Sequence, residues 1–343
     1  MDKQRLLSLA ALLASFFAFI VIGLGAFTRL MDAGLGCPDW PGCYGHIIVP
    51  SDISASIVYK AWAEMIHRYA VGGLSIFILV IVTMIFSIKA LRKRTNIILA
   101  SALILLLVYQ ILLGQWTVTL KLLPFIVTQH LLGGFLILST LWLVFLSSRG
   151  TIVMPAKDCR VGKGSFLAVP SEGLNRTLIT GSLFGLILLF LQIFLGAWTS
   201  TNYASLSCPD FPFCVKENPF AALHLQAAFN LFSPTGINYE GGVLPETVRQ
   251  TIQMIHRLGA LILTIYAISF FSYASLKLRS YKALTSIIYV IFVLLFMQIC
   301  IGIINIIFKL PLITAMSHNL IAVLLLLSLI TFTYQLISQR IYA

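Results

Sequence analysis

The chain has 343 residues, of which 59% are hydrophobic and only 10% are charged, and its mean hydropathy is +0.98. A soluble domain of this length could not bury so much apolar surface, so the composition excludes a soluble enzyme and indicates a polytopic membrane protein. The formal net charge of +12 would suggest a nucleic-acid partner only if the basic residues clustered on a folded surface. They lie instead in short segments between apolar runs, so the expected surroundings are membrane lipid and no nucleic acid.

Eight apolar runs are long enough to cross a membrane as helices. The first follows a basic N-terminus but is too long for a signal peptide and lacks a convincing cleavage site, so it is predicted to be a span. The lack of a typical transit peptide favours a bacterial inner (plasma) membrane. In chain order, the predicted spans are 7–28, 63–88, 97–119, 125–147, 177–199, 250–275, 283–307 and 312–336.

The basic residues predict the orientation of these spans. Most of the 23 Lys and Arg residues lie at the two termini and in the loops on one side of the membrane, which predicts that both termini are cytoplasmic. Two long loops, about 30–61 and 200–248, are then outside the cytoplasm on the periplasmic side. Within the second loop, the stretch from Asn218 to Phe232 is predicted to be a helix lying on the membrane surface.

The two halves of the sequence repeat the same motifs. The loop segment Cys37–Cys43 returns as Cys208–Cys214, and the stretch Glu64–Arg68 returns as Gln253–Arg257. Each half contributes four spans, an even number, so both halves would insert in the same direction as a parallel repeat.

The predicted fold class is therefore an all-α polytopic membrane protein with eight transmembrane helices, arranged as two pseudo-symmetric four-helix bundles. Residues 1–150 would form the N-terminal bundle and residues 177–343 the C-terminal bundle. A cytoplasmic linker over 151–176 would join them.

Four histidines fall on every second span, about six or seven residues from its outer end: His67, His130, His256 and His318. At about 1.5 Å per residue they would lie roughly 10 Å below the outer surface. Two imidazoles on facing helices can hold a heme iron, whereas zinc usually needs four ligands, or three and a water. The pattern predicts two heme sites, one at His67 with His130 and one at His256 with His318.

One acidic residue is not repeated, because Glu64 in the first half is replaced by Gln253 in the second. This difference predicts one site for chemistry and one for electron supply, although Glu64 could also simply stabilise a helix N-terminus. Arg29, Arg68 and Arg257 could pair with heme propionates or extend to lipid headgroups, and the sequence leaves both interpretations open.

The cysteine pairs Cys37/Cys43 and Cys208/Cys214 share a spacing of six residues on the predicted outer, oxidising side. The simplest interpretation is two disulfides that close short loops. A redox-active first pair is the alternative.

The motifs Thr28-Arg29 and Cys37–Pro41, combined with Glu64–Arg68, resemble the heme A synthase family, and the likeness extends over nearly the whole chain. The resemblance implies an oxidoreductase that oxidises the C8 methyl group of heme O to a formyl group through hydroxymethyl intermediates. The product would be heme A for cytochrome oxidase. In that family the N-terminal half takes the substrate heme O, and the C-terminal half holds a heme b cofactor.

On this resemblance, His67 and His130 would face heme O, His256 and His318 would ligate heme b, and Glu64 would be the catalytic acid. It also implies an unidentified electron donor and complexes with heme O synthase or cytochrome oxidase assembly factors. The oligomeric state, including a homo-oligomer, stays open. The alternatives are a di-heme b electron-transfer cytochrome, which would modify no heme, and a heme transporter or chaperone.

Overall fold

A computed structural model describes residues 2–52, 54–149, 172–214 and 223–341. Within these residues the regular structure is helical, and eight helices are long and apolar enough to cross a membrane, which confirms the predicted number of spans. The helices, in chain order, are α1 Lys3–Leu30, α2 Ala55–Ser87, α3 Arg94–Thr119, α4 Pro124–Arg149, α5 Glu172–Thr201, the short α6 Leu225–Ala228, α7 Glu246–Lys277, α8 Lys282–Ile307 and α9 Leu312–Ile341.

Four of the helices begin at least four residues before the predicted spans, and two of these, α2 and α7, carry a membrane histidine. Helix α2 begins at Ala55 and α7 at Glu246, whereas the apolar runs begin near residues 63 and 250. His67 therefore lies 12 residues after the first residue of α2, while His130 lies six residues after Pro124. The expectation of a common distance from the helix start is wrong, because hydropathy detects only the apolar part of a helix and misses its polar first turns.

The long loop between α5 and α7 differs most from the prediction. Its described part contains only the single-turn helix α6, so the predicted surface helix over 218–232 is wrong within residues 223–232. Residues 215–222 lie outside the described residues. Trp198 of α5 holds helix α6 in place, because its indole N–H donates to the Ala228 carbonyl at 2.8 Å. Ala228 is therefore buried within the protein, whereas the prediction had this stretch lying on the membrane surface.

Most of the predicted linker over 151–176 lies outside the described residues. Its last part is helical, because α5 begins at Glu172. The first four helices pack together, as do α5, α7, α8 and α9, and one apolar core continues through both groups. Hydrogen bonds join the groups where α4 meets its neighbours: Trp142 Nε1 donates to Thr331 Oγ1 of α9 at 2.8 Å, and Thr128 lies 3.0 Å from Thr201 of α5.

Candidate functional site

Each of the four membrane histidines packs against a glycine on a neighbouring helix. A Cβ atom added to any of these glycines would lie 3.0 to 3.4 Å from the imidazole Cε1. A larger side chain would therefore have to displace the ring. The pairs are His67 with Gly25, His130 with Gly114, His256 with Gly196, and His318 with Gly302.

We expect Gly302→Leu to displace the His318 imidazole and to remove the spectrum of a heme ligated by two histidines. The added side chain would occupy the space that the ring now fills, and a packed interior cannot absorb that volume freely. The measurement is the visible absorption spectrum of the purified protein. Gly72→Leu is the matched control, since a Cβ atom at Gly72 meets nothing within 4 Å; a normal spectrum in both variants would contradict the expectation.

The structure brings the histidines together in two pairs. His67 lies within electrostatic range of His130, and His256 within range of His318. The Nδ1 atoms of His67, His130 and His318 are buried without a hydrogen-bond partner. Because buried polar atoms are normally satisfied, these unpaired nitrogens indicate positions that hold a bound group, and two histidines per site suit a heme iron.

Both imidazoles of the second pair have a glutamine amide close by, since Gln298 Nε2 lies 3.2 Å from His318 Nε2. The Gln192 amide nitrogen lies 3.0 Å from His256 Nδ1 and also donates to the His256 carbonyl at 3.0 Å. The corresponding position in the first half, four residues before Gly25, is Val21, which has no side-chain amide to offer the His67 imidazole. Sequence reasoning missed Gln192, although the Gln192/Val21 difference between the halves was a usable signal.

Replacing Gln192 by its first-half counterpart, valine, is expected to weaken heme binding at His256 by about 10- to 100-fold. Partners that orient a metal-binding histidine typically contribute this much to affinity. The measurement is heme retained per protein after titration with a competing apo-hemoprotein. Gln129→Val serves as the control, because Gln129 bonds Tyr109 and contacts no imidazole nitrogen. Equal heme retention in the two variants would refute the role of Gln192.

Glu64 connects helix α2 to the first cysteine loop, residues 31–54. Its side chain is only 5% exposed. One carboxylate oxygen accepts the Cys37 backbone N–H at 3.0 Å, and the other accepts from the Arg68 guanidinium at 2.5 Å. A buried carboxylate with a charged partner and a backbone donor is fixed in position. It lies three residues before His67, on the same helix face.

The repeated arginines clamp the two cysteine loops. Arg68 donates to three backbone carbonyls of the first loop, those of Asp39, Pro41 and Gly42. Arg257 makes the matching contacts in the second cysteine loop, residues 202–245. There it donates to the carbonyls of Cys208, Asp210, Pro212 and Phe213 at 2.7 to 3.2 Å. The sequence left open whether Arg68 and Arg257 pair with heme propionates or extend to lipid headgroups. In the structure both guanidinium groups donate to loop carbonyls.

Arg29 joins the end of α1 to the end of α5. Its guanidinium donates to the Ser200 carbonyl at 2.5 Å, lies 3.4 Å from the Asp32 carboxylate, and stacks over the Tyr203 ring at 4.0 Å. Burial raises the pKa of Tyr203. The phenol therefore stays protonated and donates to Asp32 at 2.9 Å. Arg29 is a link between the two groups of helices.

Both cysteine pairs form disulfides, Cys37 with Cys43 and Cys208 with Cys214. Asp39 shapes the first of these loops, since its carboxylate accepts the backbone N–H groups of Tyr44 at 2.6 Å and Gly45 at 2.8 Å. Desolvation raises the pKa of Asp39, but these N–H groups and the charge of Arg68 outweigh it and hold the pKa below its usual value. The loop is thus held by a covalent bond, an ionised aspartate and the Arg68 clamp.

The fold and the site define a multi-pass helical membrane protein with two partly buried histidine pairs and a buried glutamate beside only one of them. A family model described as "Cytochrome oxidase assembly protein" matches residues 8–330, and the chain belongs to this family.

Several proteins named "Heme A synthase" are similar to it, which confirms the resemblance seen in the motifs. One from Shewanella oneidensis is 40% identical over 333 residues, covering 93% of each chain. Another, from Lysinibacillus sphaericus, is 26% identical over 350 residues and covers 100% of this chain and 98% of its own length. A third, from Bacillus cereus strain 03BB102, is 26% identical over 323 residues and covers 92% of this chain and 89% of its own.

Proposed function

We propose that this chain is a heme A synthase, an oxidoreductase that oxidises the C8 methyl group of heme O to a formyl group through hydroxymethyl intermediates. The observation that supports this most strongly is the 40% identity to the Shewanella oneidensis heme A synthase over 93% of both chains. The difference between Glu64 and Gln253 supports it further, because a protein that only passed electrons between two similar hemes would not need one acidic pocket.

The second histidine pair is the proposed site of the resident cofactor, heme b. His256 and His318 would ligate it, with Gln192 orienting His256. A bound heme b supplies one-electron redox chemistry. His67 and His130 would hold the substrate heme O. Gln110 donates to the His130 carbonyl rather than to its imidazole, and a histidine less firmly oriented by its neighbours suits a molecule that must be exchanged after each reaction cycle.

Glu64 is the proposed catalytic acidic residue, and its carboxylate would accept a proton or stabilise positive charge. Oxidation of a methyl group releases protons as well as electrons, and a proton acceptor inside the membrane must be a side chain or an ordered water. The Glu64 carboxylate is buried, lies on the same helix face as His67, and is held by Arg68 and the Cys37 N–H. It can therefore take up a proton, or stabilise positive charge that develops on the substrate, without first having to reorient.

The proposed organisation is two pseudo-symmetric bundles, residues 1–150 and 177–343, related as a parallel repeat and joined by a linker over 151–176. The shared packing of histidine on glycine supports it, as do the matching clamps of Arg68 and Arg257. The turn before α4 also resembles the turn before α9, because both carry a Lys-Leu pair with positive φ, at Lys121 and at Lys309.

The proposed location is a bacterial inner membrane, with both termini cytoplasmic and both cysteine loops periplasmic. The bias of Lys and Arg toward the ends opposite the cysteine loops supports this orientation. An oxidising periplasm also suits the two disulfides. The proposed partners are heme O synthase, which would supply the substrate, cytochrome oxidase assembly factors, which would receive the product, and an electron donor.

The test is co-expression with a heme O synthase in a host that makes no heme A. Hemes are extracted and separated by chromatography with mass detection. We expect heme A, or its hydroxymethyl precursor, only in cells that express both proteins. An inserted protein with a normal bis-histidine spectrum that yields only hemes b and O would refute the proposal in favour of an electron-transfer cytochrome.

A further inference from the structure

Part of the second cysteine loop lies on the first group of helices. Tyr239 is only 2% exposed and packs against the buried side chains of Leu122 and Leu123, in the turn between α3 and α4. Its backbone N–H donates to the Lys121 carbonyl at 3.1 Å, and its hydroxyl donates to the Pro234 carbonyl at 2.6 Å. The ring and the backbone of Tyr239 are thus both fixed, and Lys121 lies 118 residues before it in the chain.

The neighbours of Tyr239 hold the same segment in place. Glu240 lies 3.6 Å from the Lys60 ammonium group of α2, one helical turn before Glu64. Gly242 lies so close to the end of α5 that an added Cβ atom would be 2.9 Å from Tyr203 Cβ. Its φ of +84° also favours glycine. We call residues 234–242 the crossing segment, since it connects the end of α5 to α2 and the α3–α4 turn.

The crossing segment reaches the part of the first cysteine loop that contacts Glu64. Leu35 packs against the cluster formed by Leu122, Leu123 and Tyr239. Gly36 follows it and lies directly on α2, where an added Cβ atom would be 2.5 Å from the Lys60 backbone. The next residue, Cys37, donates its N–H to Glu64. A chain of contacts therefore leads from Tyr239, through its cluster and Leu35, to the hydrogen bond on the Glu64 carboxylate.

We propose that Tyr239 and Glu240 are positioning residues for the Glu64 site, supplied by the other half of the protein. The crossing segment presses the stretch Leu35–Cys37 onto α2, which keeps the Cys37 N–H on the Glu64 carboxylate. The C-terminal half thus completes the first site through this contact, in addition to carrying its own histidine pair. This inference rests on the proposed function only in that Glu64 is taken as the catalytic acid.

The test compares Tyr239→Ala, Tyr239→Phe and, as a control in the same loop, Phe232→Ala. Phe232 is an aromatic side chain that is 89% exposed. Three quantities are measured on the full-length protein co-expressed with a heme O synthase: the heme A to heme O ratio, the bis-histidine heme spectrum, and amide hydrogen exchange over residues 33–43 and 205–214.

We expect Tyr239→Ala to speed exchange over 33–43 but not over 205–214, with an unchanged heme spectrum. The heme A to heme O ratio should fall by about 10- to 100-fold, the scale expected when a catalytic group is misplaced by about 1 Å. Tyr239→Phe should restore most of the ratio, because it keeps the packed ring. Phe232→Ala should match the wild type.

Wild-type exchange over 33–43 together with a wild-type heme ratio in Tyr239→Ala would overturn the inference. If Tyr239→Ala loses its heme spectrum, Glu240→Lys replaces it as the test. Glu240→Lys should lower the heme A to heme O ratio, because it breaks the ion pair with Lys60. The double variant Glu240→Lys with Lys60→Glu should restore the ratio. No fall in Glu240→Lys would also overturn the inference. A wild-type protein that makes no heme A would refute the proposed function, while the exchange measurement would still test the contact.

Discussion

Glu64→Gln is expected to lower heme A production by about 100-fold or more, the usual scale of a lost proton-transfer group. Glutamine has nearly the same shape and can still accept the Cys37 N–H, but it cannot take up a proton or carry negative charge. The second half of the chain already carries this residue, since Gln253 lies four residues before Arg257 as Glu64 does before Arg68. Arg257 nonetheless makes its hydrogen bonds to the carbonyls of the second cysteine loop without a carboxylate at position 253. We therefore expect a folded variant whose loss is confined to the chemistry.

The measurement is the heme A to heme O ratio in co-expressing cells, together with the heme spectrum of the purified variant. Glu246→Gln is the matched control, because Glu246 also pairs with an arginine on its own helix, Arg249 at 2.6 Å, but is half-exposed at the helix start. It should retain the wild-type ratio. A wild-type ratio in Glu64→Gln would mean that the Glu64–Arg68 pair only supports the loop, and the first site would then have no assigned acid.

Removal of one histidine from each pair is expected to separate the two heme sites. His256→Ala should lower the bis-histidine heme b content about 10-fold or more and abolish heme A production, because a single imidazole cannot hold the iron on both faces. His67→Ala should leave heme b in place and still abolish heme A production, since it removes only the proposed substrate position. The assay is the pyridine hemochrome content of purified protein, read beside the extracted hemes.

His224→Ala is the control for the histidine variants, because His224 is an exposed residue at the start of α6 and belongs to neither histidine pair. It should behave as the wild type in heme content and in product. A protein that loses heme b in His67→Ala and keeps it in His256→Ala would reverse the assignment of the two halves. Loss of heme b in both variants would indicate two cofactor sites and favour an electron-transfer cytochrome.

The loop contacts of Arg68 and Arg257 affect how substitutions of these two arginines should be interpreted. Arg68 and Arg257 each donate to backbone carbonyls within a disulfide-closed loop. A substitution at either position would therefore release a loop whether or not the arginine also meets a heme propionate. Loss of activity in an arginine variant would not by itself identify a heme contact, whereas Glu64→Gln and the histidine substitutions leave both clamps in place.

The sequence by itself determined the features that depend on local composition and spacing. Runs of about 20 apolar residues identify the eight spans, because the thickness of a bilayer sets that length. The repeated Cys37–Cys43 and Cys208–Cys214 segments predicted both cysteine pairs, since a short loop keeps its two ends close. The same local rules failed where the chain is polar, as at the start of α2 and in the stretch around α6, because helix ends there are set by neighbouring contacts rather than by hydropathy.

Only the tertiary structure decided which groups each site residue meets. Cys37 lies 27 residues before Glu64, Gln192 lies 64 residues before His256, and Tyr239 packs on a turn of the other half. Contacts at such separations depend on how the helices are arranged around one another, and no periodicity in the sequence records that arrangement. The packing of each histidine on a glycine likewise emerges only from the structure, because the residue that fills the space beside a glycine is known only once the helices are packed.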